Sequence, residues 1–115
     1  IHTDAELHKR IIYNLLSNSM KYAKSTVDIA ISHSKGIIRI TISDDGAGFP
    51  EKELPHVFER FYHGSKDGNG IGLAIVSTGI RYLGGTITAG NLPLPRHGAV
   101  YQLQLPEYYP NSPKN

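Results

Sequence analysis

The feature that most constrains the fold is a change of hydrophobic period near residue 25. Residues 4 to 24 place Leu7, Ile11, Ile12, Leu15, Leu16 and Met20 at helical spacing, uninterrupted by Gly or Pro, which predicts an amphipathic helix. Thr3 or Asp4 is placed to cap its start. Directly afterwards Val27, Ile29 and Ile31 alternate, as do Ile38, Ile40 and Ile42, around the turn-forming Ser34-Lys35-Gly36. Period-two runs joined in this way predict an antiparallel hairpin. A helix with one apolar stripe and a hairpin with one apolar face must cover each other.

The rest of the chain extends that pattern. Asp44-Asp45-Gly46-Ala47-Gly48-Phe49-Pro50 interrupts regular structure, and Pro50 before Glu51 suits the opening of a short helix. Val57 to Tyr62 forms an aromatic knot, whereas His63 to Gly70 is polar and reads as a mobile segment. Leu73 to Leu83 returns to helical period and meets a stop signal at Gly84-Gly85. Gly79 lies inside that helix, at a cost of about 1 kcal/mol relative to Ala. Thr86 to Ala89 and Val100 to Leu105 alternate again across a loop holding Pro93 and Pro95. The expectation is an α+β two-layer sandwich over residues 1–106, followed by a loose tail at 107–115.

Composition narrows the function. The 115 residues suit one domain with one core. There is no cysteine, which excludes disulfides, thiolate metal sites and a cysteine nucleophile, and fits a reducing compartment. The formal charge of +2 is scattered along the chain, too weak a footprint for nucleic acid. No run approaches the roughly 18 apolar residues of a membrane-spanning helix. Opening at Ile1 with neither Met nor signal segment, the chain is expected to be an excised domain of something longer.

Three groups of residues stand out chemically. On a helical wheel with Leu7 at zero, Asn14, Asn18 and Lys21 fall at about −20°, +20° and −40°, close to the apolar stripe. Such a row suits a hydrated magnesium ion on phosphate; equally, each amide finds a partner in a neighbouring strand or loop. Asp44-x-Gly46-x-Gly48 ends a strand, where a fixed carboxylate beside accessible backbone suits an adenine amine, or else makes a solvated turn. Gly68-x-Gly70-x-Gly72-Leu73 precedes a helix, an arrangement that suits an anion or a flexible linker.

Their order along the chain resembles a known family. Asn14-Leu15-Leu16-Ser17-Asn18-Ser19-Met20-Lys21-Tyr22, Asp44-Asp45-Gly46-Ala47-Gly48-Phe49, Val57-Phe58-Glu59-Arg60-Phe61-Tyr62 and Gly68-Asn69-Gly70-Ile71-Gly72-Leu73 resemble the N box, first glycine box, F box and second glycine box of bacterial sensor histidine kinases. Gly84-Gly85 and Tyr101-Gln102-Leu103-Gln104-Leu105-Pro106 resemble the family's ending, so the likeness runs over about residues 4 to 106.

The resemblance implies a Bergerat-type fold, a mixed and mostly antiparallel sheet under about three helices, binding ATP with Mg2+. It makes Asn18 the metal ligand and Asn14 its support, with Lys21 and Tyr22 near phosphates and nucleotide. Asp44 would accept from the adenine amine, with Gly46, Gly48 and Phe49 shaping the base pocket. Gly68, Gly70, Ile71, Gly72 and Leu73 would form the hinge and base of a lid, and Arg60 would stabilise the transferred phosphoryl group. Phe58 and Phe61 would pack beneath the lid. His63 stands where the family often has Arg, the lid over Tyr62 to Gly68 is short, and Leu83 replaces a common His.

It further implies that the γ-phosphoryl group passes to a histidine on a separate dimerisation and phosphotransfer domain, and from there to a response regulator. No residue here resembles that helical domain. His8 reads as a partly exposed helix residue. The domain is expected to be monomeric and cytoplasmic, without membrane contact, in a parent that by family habit sits in the bacterial membrane. Two alternatives stand beside this one. A gyrase-type ATPase would need a Glu at Asn14 to activate water, which an amide cannot do. A nucleotide-binding docking module without turnover would keep the same residues.

Overall fold

A computed structural model describes residues 3–59 and 72–107. Helix α1 spans Thr3–Tyr22, strand β1 Val27–Ser34, strand β2 Ile37–Asp44, a 3-10 helix Glu51–His56, helix α2 Gly72–Tyr82, strand β3 Thr86–Asn91 and strand β4 Ala99–Pro106. The four strands make one sheet in the order β1-β2-β4-β3, every neighbouring pair antiparallel. The helices lie on one face, giving the expected two-layer sandwich. Among the described residues the third helix is the 3-10 segment after Pro50, and Pro55 inside it fits the short, tight form. No described helix is long and apolar enough to cross a membrane.

Alternation builds the inner face of the sheet. Along β4, Ala99, Tyr101, Leu103 and Leu105 are buried while Gln102 and Gln104 are exposed. Register places Ile42 of β2 opposite Tyr101, and Ile40 opposite Leu103. Ile11 and Leu15 of α1 and Val76, Ile80 and Leu83 at α2 close this core from above. Each such side chain contributes roughly 1.5–3 kcal/mol of burial. Gly79 explains itself here: a Cβ on it would stand 3.1 Å from both Leu7 Cδ1 and Ile11 Cδ1, so the glycine lets α1 and α2 approach.

Helix α2 stops as its glycines require. The Gly85 N–H donates to the Ile80 carbonyl at 2.9 Å and the Gly84 N–H to the Arg81 carbonyl at 3.0 Å. With Gly84 at φ 81°, this is a Schellman cap. The chain then turns straight into β3.

Three apolar residues depart from expectation. Met20 is 69% exposed, and Ile29 and Ile31 are 50% and 67% exposed. The buried ridge of α1 runs through Ile11, Leu15 and Ser19, which turns Met20 outward. Ile29 and Ile31 sit on the inward face of β1, but β1 is the edge strand and the helices pack mainly over β2 and β3. The aromatic knot is described as far as Glu59, with Val57 buried and Phe58 packed against the core. Arg60, Phe61, the segment with His63, the glycines at 68 and 70, Ile71 and the tail from 108 lie outside the described residues, as do the side chains of Thr3 and Asp4.

Candidate functional site

The site grows from the end of β2. Asp44, the last residue of that strand, is 5% exposed. Its Oδ1 accepts the N–H of Gly46 at 2.8 Å and that of Ala99, at the start of β4, at 3.2 Å. Both donors meet one oxygen, and among the described residues no hydrogen bond reaches Oδ2, which leaves it as the acceptor. The backbone around it is packed to contact. A Cβ on Gly46 would overlap the Tyr22 carbonyl at the end of α1, and one on Gly98 would overlap the Asp44 carbonyl. Gly48, at φ 81°, passes beside Asn91, whose Oδ1 would lie 2.6 Å from a Cβ there.

Asp45 ties the same corner to the helix. Its Oδ1 accepts the backbone N–H groups of Lys24, Ser25 and Thr26 at 2.8, 2.8 and 3.0 Å, and its Oδ2 accepts the Ser25 hydroxyl at 2.6 Å. These bonds, the Ser25 hydroxyl foremost, hold its carboxyl far below the usual carboxylate range. Asp45 thereby fastens the turn after α1 to the turn after β2. On the other side, the Asn91 amide grips the main chain of Phe49 at both ends, accepting its N–H at 2.7 Å and donating to its carbonyl at 2.9 Å. The Phe49 ring meets Tyr101 edge-on, with centroids 6.0 Å apart.

The amide row of α1 faces this corner. Asn18 is half-buried, and its Nδ2 donates to the Tyr101 hydroxyl at 2.6 Å. Asn14 spends its own Nδ2 on the Arg10 carbonyl, 3.0 Å away. Both amides therefore commit nitrogen to the protein and keep Oδ1, a hard oxygen of the kind magnesium prefers. Among the described residues no cluster of three or more His, Cys, Asp and Glu could hold a metal by itself. The donor set thus fits a cation shared with ligand phosphates better than an all-protein cage. Lys21 is exposed, its ammonium 5.6 Å from the centre of the Tyr22 ring.

The fold brings Asn18, Tyr22, Asp44, Gly46, Gly48 and Phe49 to one end of the sheet, linked through Tyr101, Ala99 and Gly98. Asn14 and Lys21 extend the row along α1. Gly72 opens α2, and Leu73, half-buried in its first turn, packs against the core. Arg60, Gly68, Gly70 and Ile71 lie outside the described residues. His8 is half-buried in α1. Sequence reasoning passed over Asp45, Asn91, Gly98 and Tyr101. Gly98 directly before an alternating strand was the one available signal, because the others depend on strand register.

Known proteins resemble this chain in sequence and in fold. Residues 3–109 match the family described as histidine kinase-, DNA gyrase B-, and HSP90-like ATPase. The chain is similar to the signal transduction histidine-protein kinase AfsQ2 of Streptomyces coelicolor, with 40% identity over 102 residues that cover 84% of this chain and 19% of the relative. It therefore spans only a small part of that relative's length. Among solved structures it is similar to the mycobacterial sensor histidine kinase MprB, with a TM-score of 0.75 and 27% identity over 87% of this chain and 72% of that one. Full-length ShkA in complex with AMPPNP gives a TM-score of 0.76 at 27% identity, covering 94% of this chain and 23% of that one. The chain belongs to the histidine kinase-, DNA gyrase B- and HSP90-like ATPase family, and is homologous to the catalytic domains of sensor histidine kinases.

Proposed function

We propose that this domain binds Mg-ATP at the end of β2 and donates the γ-phosphoryl group to a histidine on a separate dimerisation and phosphotransfer domain of its parent kinase. The observation that carries the reading is the Asp44 carboxylate, buried at 5% exposure with Oδ1 saturated by two backbone donors. A carboxylate so fixed, with one oxygen open, is an acceptor built for a planar amine donor such as that of adenine. ShkA, a structural neighbour, is described with the ATP analogue AMPPNP.

Each residue then has one task. Asp44 orients the base, with Gly46 and Gly48 keeping the backbone low and Phe49 supporting it from the Tyr101 side. Asn18 offers Oδ1 to the metal, and Asn14 stands one helical turn away as its support. Lys21 and Tyr22 approach the phosphates from the end of α1. When bound, magnesium supplies positive charge that neutralises the phosphate oxygens. A lid over Tyr62 to Gly68, hinged by Gly68, Gly70 and Gly72, would cover the triphosphate and exclude water, and Arg60 would stabilise charge on the group in transfer. The nucleophile is a histidine elsewhere, so the domain supplies positioning and electrostatics rather than a base. From there the phosphoryl group would pass to a response regulator, with the domain working as a cytoplasmic part of its parent.

The test is autophosphorylation of a chain that also carries the helical acceptor domain. With γ-labelled ATP and magnesium, label is expected on histidine, acid-labile and alkali-stable. Asn18→Ala should abolish it. Bound nucleotide without label on any histidine would leave a docking module in place of a kinase.

A further inference from the structure

We infer that the Tyr101 phenol is a positioning group that decides which end of the Asn18 amide faces the ligand. This rests on the proposed reading of Asn18 as the residue that meets the metal. An asparagine amide has nearly the same shape in both flip states but opposite chemistry: one presents an oxygen, the other an –NH2 that no cation will accept as a ligand. In this structure Nδ2 points at the Tyr101 hydroxyl, 2.6 Å away, so Oδ1 points away from it.

A hydroxyl can both donate and accept, so the direction of this bond needs a cause. Asp44 provides it. Ile42 lies opposite Tyr101 in the β2–β4 register, and Asp44 is two residues further along β2 on the same face. A carboxylate on the same face of the sheet favours the O–H proton turned toward its side, which leaves an oxygen lone pair for Asn18. Burial, joined by the Asp44 charge, pushes the hydroxyl well above the usual tyrosine range, against the opposing pull of the Asn18 bond.

Tyr101 is also well held. It is 1% exposed, paired in the sheet with Ile42 on one side and Ala89 on the other, and set edge-on against Phe49 at an interplanar angle of 75°. A rigid phenol on the sheet thus meets an amide on the helix, with Asn18 and Tyr101 lying 83 residues apart in sequence. Outer partners of this kind set the orientation, and with it the strength, of a ligand they do not replace.

The experiment titrates this chain with a non-hydrolysable ATP analogue by calorimetry, with and without magnesium, as wild type, Tyr101→Phe and Asn18→Ala. Tyr101→Phe keeps the ring and is expected to leave magnesium-free affinity within about twofold while cutting the gain from magnesium by about tenfold. A full magnesium gain in Tyr101→Phe, alongside its loss in Asn18→Ala, overturns the inference and spares the site. An equal loss with and without magnesium marks Tyr101 as merely structural and also overturns it. A full gain in Asn18→Ala removes the reading on which the inference rests. A second measurement uses the wild-type chain alone: the Asn18 Nδ2 protons should show nuclear Overhauser contacts to the Tyr101 ring that persist when the magnesium-bound analogue is added. Loss of those contacts on loading would overturn the assignment.

Discussion

Gly98 and Asp44 are packed main chain to main chain, so that a Cβ on Gly98 would overlap the Asp44 carbonyl oxygen. Gly98 also holds φ 140°, a conformation open to glycine and few others. The pair brings the start of β4 close enough for the Ala99 N–H to reach the Asp44 carboxylate. Gly98→Ala is expected to lower stability by about 2 kcal/mol or more, from overlap and backbone strain together. Nucleotide binding should weaken beyond what the loss of folded protein explains. Gly90→Ala is the control, since its Cβ would meet only Val100 Cγ1 at 4.0 Å; a strand alanine there should be neutral or stabilise by about 0.5 kcal/mol. Urea unfolding of both variants checks the contrast.

Asp45 gives the domain an acid-sensitive corner. Its carboxyl is held below the usual range by the Ser25 hydroxyl and by backbone donors from Ser25, Thr26 and Lys24. A depressed folded-state value means that its contribution is fully present above the unfolded value of about 3.9 and is lost as pH falls below it. Asp45→Asn keeps an oxygen for the three N–H groups and removes the titration. The variant should be somewhat less stable at neutral pH and lose less stability than wild type as pH falls from about 5 to about 3. Thermal melts across that range decide it; parallel curves would show that Asp45 is not the titrating group.

Ser19 is a defect that can be repaired. It is 1% exposed, and its Oγ has no hydrogen-bond partner among the described residues. A buried hydroxyl left unpaired costs about 1–3 kcal/mol, and alanine is a better helix former. Ser19→Ala is expected to stabilise the domain by about 1 kcal/mol without changing nucleotide affinity. Destabilisation in the same urea titration would mean that the hydroxyl has an unrecognised partner.

Local rules made most of the elements readable. The helical stripe gave α1 to within two residues at its C-terminal end, Ser34-Lys35-Gly36 gave the hairpin turn, and Gly84-Gly85 gave the end of α2 with its capping geometry. The N box and the first glycine box pointed to Asn18 and Asp44, which the fold does bring to one corner. What stayed hidden was long-range. Alternation places Tyr101 in the core but cannot say that its hydroxyl meets an amide on a helix 83 residues earlier. Nothing local in Asn91 announces that it will grip Phe49. Ile29 and Ile31 alternate as well as any buried pair, and only the order β1-β2-β4-β3 reveals that they lie on an edge strand with little helix above them.

The central claim is that the open oxygen of Asp44 receives an adenine amine. Asp44→Asn tests it with little disturbance, because an amide Oδ1 can still accept from Gly46 and Ala99 while an –NH2 group replaces Oδ2. Calorimetric titration with a non-hydrolysable ATP analogue is expected to show binding by wild type and a loss of about tenfold or more in the variant, as two donors are forced to face each other. Equal affinity in the two proteins, both folded, would contradict the account.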